Sequence, residues 1–161
     1  MNEIAVRRVN YSMAKVILLD TGVLGMIIHP RPNTEILKWI ERLGRDDAEL
    51  WISEIVDYEL RRKLIHLGFT QSIYRLDALK AAVNYIPITT DTMLRAAELW
   101  AEARKQGKPT AGDTALDVDM ILSAQAVLLN ENRDDDDVII ATGNVGHLSL
   151  FADARLWQDI L

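Results

Sequence analysis

Two short apolar runs, 16–19 near the start of the chain and 138–141 near its end, constrain the fold more than any other feature of the sequence. Both are rich in β-branched residues, and each stops at a polar residue, which is typical of buried strands. The first run is followed by Asp20, Thr21 and Gly22, which predicts a turn. The two runs therefore predict two buried strands with polar side chains at their ends.

Segments of helical periodicity alternate with shorter strand-like runs in the rest of the chain. Asn33 can cap a helix that ends at Gly44, and Gly68 suits the end of a later helix. The further predicted helices are 54–67, 70–83, 90 or 91 to 107, 116–129 and 154–160. The further predicted strands are 50–52 and 86–88. Loops are predicted at 108–114 and 130–137. This alternation predicts an α/β fold with a central parallel sheet and helices on both faces.

The composition limits the classes of protein that the chain can belong to. Its 161 residues suit one domain, expected at 13–161 after a flexible N-terminal extension at 1–12. There is no cysteine, which excludes disulfides and thiolate sites and fits a cytoplasmic protein, and no apolar run approaches the ~18 residues of a membrane span. The net charge of −6 counts against a module that holds nucleic acid by its own charge. It counts less against an enzyme whose acidic residues surround a metal ion.

Polar residues that follow strands or begin helices form the candidate site. In open parallel sheets, sites form at the carboxyl ends of the strands. Asp20 follows the first strand, Thr142 and Asn144 follow the last, and Glu59 and Asp119 lie in helices that such a sheet aims at the same edge. Because these ligands would all be oxygens, the ion they suit is Mg²⁺ or Mn²⁺.

Each of these residues also has a purely structural interpretation. Asp20 could cap a turn, since Asp often does so. Glu59 could be a solvated residue that pairs with Arg62 or Lys63 one turn along the helix. Asp119 could be a first-turn residue favoured by the helix dipole. The individual signals are weak, and the case for a site depends on their order and local settings.

Those settings resemble the motifs of the PIN-domain family, especially the VapC-like ribonucleases of bacterial toxin–antitoxin pairs. The first motif, an apolar strand that ends in Asp-Ser or Asp-Thr, reads LLDT at 18–21. The second, a Glu followed by Leu in a helix, reads YELRRKL around Glu59. The third, an Asp that opens an alanine-rich helix, reads DMILSAQA from Asp119, and the fourth, Thr-x-Asp or Thr-x-Asn after a strand, reads ATGNVGHL at 141–148.

The resemblance implies a fold, an activity and partners. The fold would be a three-layer α/β/α sandwich, and the activity Mg²⁺- or Mn²⁺-dependent cleavage of single-stranded RNA by a metal-activated water. Asp20, Glu59 and Asp119 would hold the metal, and Thr142 and Asn144 would orient water or phosphate. The expected partners are single-stranded RNA, a cognate antitoxin protein and a second copy of the chain as a homodimer.

The chain departs from the family pattern at the fourth and third motifs. Asn144 stands where many members carry Asp, which removes one charge from the site. Asp113 and Asp117 lie close to Asp119, and Asp117 could supply the missing charge as a metal ligand. Glu54 similarly competes with Glu59, which has the better local match.

His147 is a candidate general base of the ribonuclease, although a surface or packing role is the more common one for such a histidine.

Two other interpretations compete with an active ribonuclease. An aspartyl-phosphate enzyme would need a second acid two residues after Asp20, where the chain has Gly22. A catalytically weak or inactive PIN-fold protein that binds RNA or a protein partner is the main alternative, and Asn144 and the net acidity favour it.

Overall fold

The computed structural model describes residues 14–107, 113–133 and 137–160, without the side chains of 113–115. Its centre is a five-stranded sheet in which all neighbouring strands are parallel, in the order β3-β2-β1-β4-β5. The strands are β1 (Lys15–Leu19), β2 (Glu49–Ser53), β3 (Asn84–Ile86), β4 (Asp137–Thr142) and β5 (Ala154–Leu156). The two apolar runs are thus the two central strands, and they pair with each other.

Six α-helices in the described residues surround this sheet and complete the predicted α/β sandwich, the fifth by packing on the sixth. They are α1 (Thr21–Ile28), α2 (Thr34–Arg45), α3 (Glu54–Leu67), α4 (Thr70–Ala82), α5 (Thr90–Lys105) and α6 (Asp113–Glu131), and two short 3-10 helices follow at Gly146–Leu150 and Trp157–Asp159. The main apolar core lies around β1 and β4, whose residues 16–19 and 139–141 are fully buried. The predicted fold class is confirmed.

The pairing of the two central strands decides which polar residues meet. Leu19 of β1 lies opposite Ala141 of β4. Because the strands are parallel and β1 ends at Leu19 while β4 ends at Thr142, Asp20 and Thr142 lie side by side at the carboxyl edge of the sheet. The first and fourth motifs, far apart in the sequence, therefore share one edge.

The turn predicted after β1 is wrong, because Thr21 begins a helix. Asp20 is the N-cap of α1, and its Oδ1 accepts a hydrogen bond of 2.7 Å from the backbone N–H of Thr21. Val23, Leu24 and Ile28 are buried on one side of this helix. Two glycines within a short apolar segment suggest a turn from local propensity, but burial of this face against the core stabilises a helix.

The predicted helix ends are partly correct. Asn33 caps α2 through Oδ1, which accepts from the N–H of Ile36 at 2.8 Å, although the helix continues one residue past Gly44. Gly68 follows α3 with φ +69°, the left-handed conformation that glycine adopts at helix ends. The N-cap of α5 is Thr89, which exchanges hydrogen bonds with Thr92 in a capping box.

The third strand and the segment after β4 differ more from the elements predicted from the sequence. β3 ends at Ile86, where 86–88 was predicted, because Pro87 has no N–H and the N–H of Ile88 donates to the Glu54 carboxylate at 2.5 Å. The helix predicted at 154–160 is wrong. Residues 154–156 form β5 at the sheet edge, and the buried Trp157 and Ile160 then anchor the chain end to the core.

Helices α5 and α6 pack as an antiparallel pair with a small apolar core of their own. Arg95, near the start of α5, donates to Glu131 at the end of α6 at 2.9 Å, which fixes their relative direction. The predicted loop 108–114 is shorter, because Asp113 already belongs to α6, and 108–112 lie outside the described residues. The predicted extension at 1–12 and residues 134–136 of the acidic loop also lie outside them.

Among the residues that the structure describes, none of the helices is both long and apolar enough to cross a membrane.

Candidate active site

Asp20 lies half-buried at the centre of the carboxyl edge of the sheet. Its Oδ2 accepts a hydrogen bond of 2.6 Å from the hydroxyl of Thr142, while Oδ1 caps α1 through Thr21. Burial raises the pKa of Asp20, and the nearby charge of Glu59 raises it further, whereas the two hydrogen bonds lower it. The carboxylate is therefore held in a fixed orientation in a place that opposes its charge.

Glu59 lies on α3 and faces the same edge. Its Oε2 accepts from the hydroxyl of Thr21 at 3.1 Å, and its Oε1 is 3.1 Å from Nζ of Lys63. The pairing with Lys63, the structural role that the sequence allows for this residue, is thus present. It coexists with the approach to Asp20, since the two carboxylates influence each other electrostatically.

Asp119 completes the group from α6. Burial raises the pKa of its carboxyl to about 6, and the charges of Asp20 and Glu59 add to that rise. Among the described residues none donates a hydrogen bond to this carboxyl, so nothing there offsets the cost of its charge. We call Asp20, Glu59 and Asp119 the carboxylate site.

The three carboxylates are close enough to repel one another but do not meet at one point. Within the described part of the chain, no three acidic or histidine side chains converge closely enough to hold one ion by themselves. Mg²⁺ is usually held by one or two carboxylates together with waters and substrate oxygens. A set of oxygen donors, one of them without a hydrogen-bond donor, therefore fits a hard divalent cation in its chemistry.

Thr142 and Asn144 form a tight turn after β4. Thr142 is fully buried, and its Oγ1 accepts from the N–H of Asn144 at 3.0 Å while it contacts Asp20. Asn144 is exposed, and its Oδ1 accepts from the N–H of Gly146 at 3.1 Å. Thr142 therefore contacts the carboxylate site directly, whereas the side chain of Asn144 stabilises its own turn.

The competing acids Asp117 and Glu54 make other contacts. Asp117 is exposed and lines a cavity of about 380 Å³ between α5 and α6 together with Trp100. Two residues correspond to about 200° around a helix, so Asp117 and Asp119 face different directions. Glu54 accepts from the N–H of Ile88, and the side chain of Asp113 lies outside the described residues.

The histidine considered as a general base is half-buried in the 3-10 helix Gly146–Leu150, beyond the turn that Asn144 stabilises. No described contact brings His147 to any of the three carboxylates. Its sequence position after the fourth motif is thus the only link between this residue and the site.

A second buried acid was missed by the sequence analysis. Asp57 on α3 is only 4% exposed, and it contacts Nε of Arg61 at 2.8 Å and Nζ of Lys80 at 2.9 Å. Arg61 also contacts Asp77 of α4 at 2.8 Å. Burial opposes the charge of Asp57, yet the two cations outweigh it and lower the pKa of its carboxyl. The i,i+4 spacing of Asp57 and Arg61 is the signal that could have found this charge network.

Comparisons with known proteins agree with this fold. The family model of the PIN domain matches residues 17–143. Similar solved structures include VapBC2 from Rickettsia felis bound to a DNA fragment from its promoter, with a TM-score of 0.68 at 18% identity over 87% of this chain and 97% of that one. FitAcB from Neisseria gonorrhoeae matches with a TM-score of 0.66 at 22% identity, over 89% of this chain and 99% of that one. VapBC-1 from nontypeable Haemophilus influenzae matches with a TM-score of 0.65 at 21% identity, over 89% of this chain and 99% of that one.

At these identities the structural matches show a shared fold. A comparison with curated proteins gives no significant match. The family model extends from within β1 to Gly143, just past β4, and so includes all three members of the carboxylate site but not Asn144. The resemblance noted in the sequence is therefore confirmed: the chain belongs to the PIN-domain family.

Proposed function

We propose that the protein is a Mg²⁺- or Mn²⁺-dependent endoribonuclease that cleaves single-stranded RNA as the toxin of a toxin–antitoxin pair. The observation that carries the proposal is the state of Asp119. Its half-buried carboxyl has a pKa of about 6, because of burial and the charges of Asp20 and Glu59, and no described donor stabilises its ionised form. A divalent cation would reverse that cost, since opposite charge favours the ionised carboxylate.

The residues of the site divide the work by their contacts. Asp20 and Asp119 would hold the ion, with Glu59 as a third ligand whose bond to Lys63 can yield. Bound there, the ion supplies a Lewis acid that acidifies water and balances charge on the scissile phosphate. Thr142 fixes the orientation of Asp20 through its hydroxyl, which limits the carboxylate to one direction of approach.

Thr21 connects two of the ligands. Its backbone N–H donates to Asp20, and its hydroxyl donates to Glu59. The Asp-Thr pair of the first motif therefore positions both carboxylates at once. Asn144 would contact water or phosphate through its amide group, and it contributes no charge to the site.

The proposed partners follow from the relatives. The similar structures carry the paired names VapBC and FitAcB, and we infer an antitoxin partner for this chain as well. We further infer a homodimer that acts in the cytoplasm. The mass of the purified protein by light scattering tests the dimer, and co-purification with the product of an adjacent small gene tests the antitoxin.

The alternative is a PIN-fold protein that binds RNA or a partner without cutting. Asn144 favours it, because the fourth position is uncharged and its side-chain oxygen is used by Gly146. The alternative predicts that the site still binds Mn²⁺, since Asp20, Glu59 and Asp119 remain, but that bound metal leads to no cleavage.

The discriminating experiment is cleavage of labelled single-stranded RNA with Mg²⁺ or Mn²⁺ by the wild type, Asp20→Asn and Asp117→Asn. We expect the wild type and Asp117→Asn to cut and Asp20→Asn to fail. Asp117 is the matched control because it makes the same chemical change outside the carboxylate site. Equal cutting by the wild type and Asp20→Asn would sink the site assignment. Absence of cutting with Mn²⁺ bound in calorimetry would favour the non-catalytic alternative.

A further inference from the structure

An exposed aromatic side chain lies next to the carboxylate site on α3. Tyr58 immediately precedes Glu59, and 56% of its side chain is exposed. The guanidinium of Arg62, one helical turn later, lies over its ring with the Arg62 carbon 5.1 Å from the ring centre. An aromatic ring and a guanidinium plane thus form one exposed surface, which we call the Tyr58–Arg62 platform.

The platform belongs to a basic part of an otherwise acidic chain. Arg62 and Lys63 follow Glu59 by three and four residues, so all three lie on the same side of α3. Both cationic side chains are exposed. In the described part of the chain no carboxylate lies within salt-bridge distance of Arg62, whereas Arg61 is occupied by Asp57 and Asp77. Lys63 contacts Oε1 of Glu59 at 3.1 Å, so its charge is shared with that carboxylate, while Arg62 adds positive charge to this side of a chain whose net charge is −6.

These features match the chemistry of a single-stranded nucleic acid better than that of a duplex. Unpaired bases stack on aromatic rings and on arginine planes, while nearby cations contact the phosphates. A duplex hides its base faces and would leave the ring unused. Tyr58 and Glu59 are consecutive on α3 and face directions about 100° apart. Arg62, three residues after Glu59, lies on the same side of the helix as that carboxylate, so a base on the platform would belong to a nucleotide near the carboxylate site.

We propose that the Tyr58–Arg62 platform stacks one unpaired base of the RNA beside the scissile phosphate, with Lys63 contacting the backbone. This inference rests on the proposed function and adds the place where the substrate is held. The same geometry could be a surface cation–π pair that only stabilises α3. The two roles differ in what they predict for RNA with and without bases.

The test measures binding of two labelled probes by fluorescence anisotropy in EDTA, where no cleavage occurs. One probe is a short oligouridine and the other an abasic ribose-phosphate strand of the same length. We expect the wild type to prefer oligouridine by about 10-fold, and Tyr58→Ala to lose most of that preference. Tyr58→Phe, which retains the ring, should keep the preference.

Tyr74→Ala is the matched control, because Tyr74 is 79% exposed but lies on α4. It should leave both affinities unchanged. Arg62→Lys keeps the charge but removes the planar group, so it should lower the preference for oligouridine while binding of the abasic strand stays the same. Thermal unfolding of each variant checks that the fold is retained.

Distinct outcomes separate this inference from the proposed function. If the wild type binds and cuts RNA but Tyr58→Ala behaves like Tyr74→Ala, the platform is overturned and the ribonuclease stands. If the wild type neither binds nor cuts any RNA, the proposed function fails and the platform with it. If Tyr58→Ala leaves RNA binding unchanged and instead weakens binding of the antitoxin, the surface docks a protein and the inference is wrong.

Discussion

Two regions of this protein hold a carboxylate out of full contact with solvent, and they shift the pKa of its carboxyl in opposite directions. Asp57 lies between Arg61 and Lys80, which lower the pKa of its carboxyl despite burial. Asp119 lies near Asp20 and Glu59, and burial together with their charges raises the pKa of its carboxyl to about 6. One carboxylate is neutralised by the protein itself. For the other, none of the described residues supplies a cation or a hydrogen-bond donor.

The difference separates an acid whose charge the fold itself stabilises from an acid whose charge the described residues leave unpaired. A carboxylate that helps the fold is surrounded by donors and cations, because an unpaired buried charge would cost stability. A carboxylate kept without them costs stability and is retained for another reason, most often a ligand or a reaction. The predictions below test this contrast from the largest expected effect to the smallest.

The largest effect is expected on RNA cleavage. Asp119→Asn should lower the rate by on the order of 100-fold or more, equivalent to about 2.7 kcal/mol, because a proposed metal ligand is lost. Asp57→Asn should stay within a few-fold of the wild type at a temperature where it is folded. Rates under single-turnover conditions with Mn²⁺ measure both. Similar losses in the two variants would remove the distinction between the regions.

The next effect is on folding stability. Asp57→Asn should lower the free energy of unfolding by about 2–3 kcal/mol, less than for a fully buried ion pair because Lys80 and Arg61 are partly exposed. Asp77→Asn is the control, since it removes only an exposed contact to Arg61 and should cost less than about 1 kcal/mol. Urea unfolding at neutral pH measures both. A loss for Asp57→Asn as small as that for Asp77→Asn would contradict the structural role.

Asp119→Asn should change the free energy of unfolding in the opposite direction to Asp57→Asn. It should raise the stability of the metal-free protein by about 1–2 kcal/mol. The pKa of Asp119 is raised, so the folded state binds more protons than the unfolded state between about pH 4 and 6. Its contribution to stability therefore falls as the pH rises through that range. The advantage of the variant should be small at pH 4 and complete at pH 7, as followed by urea unfolding in EDTA. A constant difference at all pH values would argue against the shifted pKa.

Asp57 should show the reverse dependence on pH. The pKa of its carboxyl is lowered in the folded state, so its contribution is present above the unfolded value of 3.8 and is lost as the pH falls through the folded value. The wild type should approach Asp57→Asn in stability below about pH 3. Acid titration followed by circular dichroism measures this, and parallel acid transitions in the two proteins would contradict it.

The smallest effect concerns Asp20, whose carboxylate has both stabilising hydrogen bonds and a repelling charge nearby. It accepts hydrogen bonds from Thr142 and Thr21, and it is also repelled by Glu59. Thr142→Val removes the hydroxyl and should lower cleavage by about 10-fold, as for the loss of a group that orients a metal ligand. Thr142→Ser keeps the hydroxyl and should restore most of the rate. Equal rates for Val and Ser would show that the hydroxyl does not act.

Much of the sheet and of the site could be predicted because the signals are local. The apolar runs of β1 and β4 have the composition of buried strands, and α3 has both its periodicity and its final Gly68. The edge at which Asp20 and Thr142 meet then follows from the rule for parallel sheets. The pattern around Asp119 also favoured it over Asp117, and the structure shows that these two acids face different directions.

The rest could not be predicted because tertiary contacts decide it. Helix α1 contains Gly22 and Gly25, which disfavour a helix locally, and packing of its apolar face overrides them. β5 exists because its partner β4 offers an edge, which no local pattern records. The charge network of Asp57 depends on Lys80, which lies 23 residues further along the chain.

The hydrogen bond between Thr142 and Asp20 joins residues that are 122 positions apart. A pairing between such distant segments forms late, because the chain must close a long loop before the contact gains anything. During synthesis, β4 leaves the ribosome after all six described α-helices have already been made. The contact that orients Asp20 therefore cannot form until β4 has been made, so a chain that stops before β4 lacks the hydrogen bond that fixes this carboxylate.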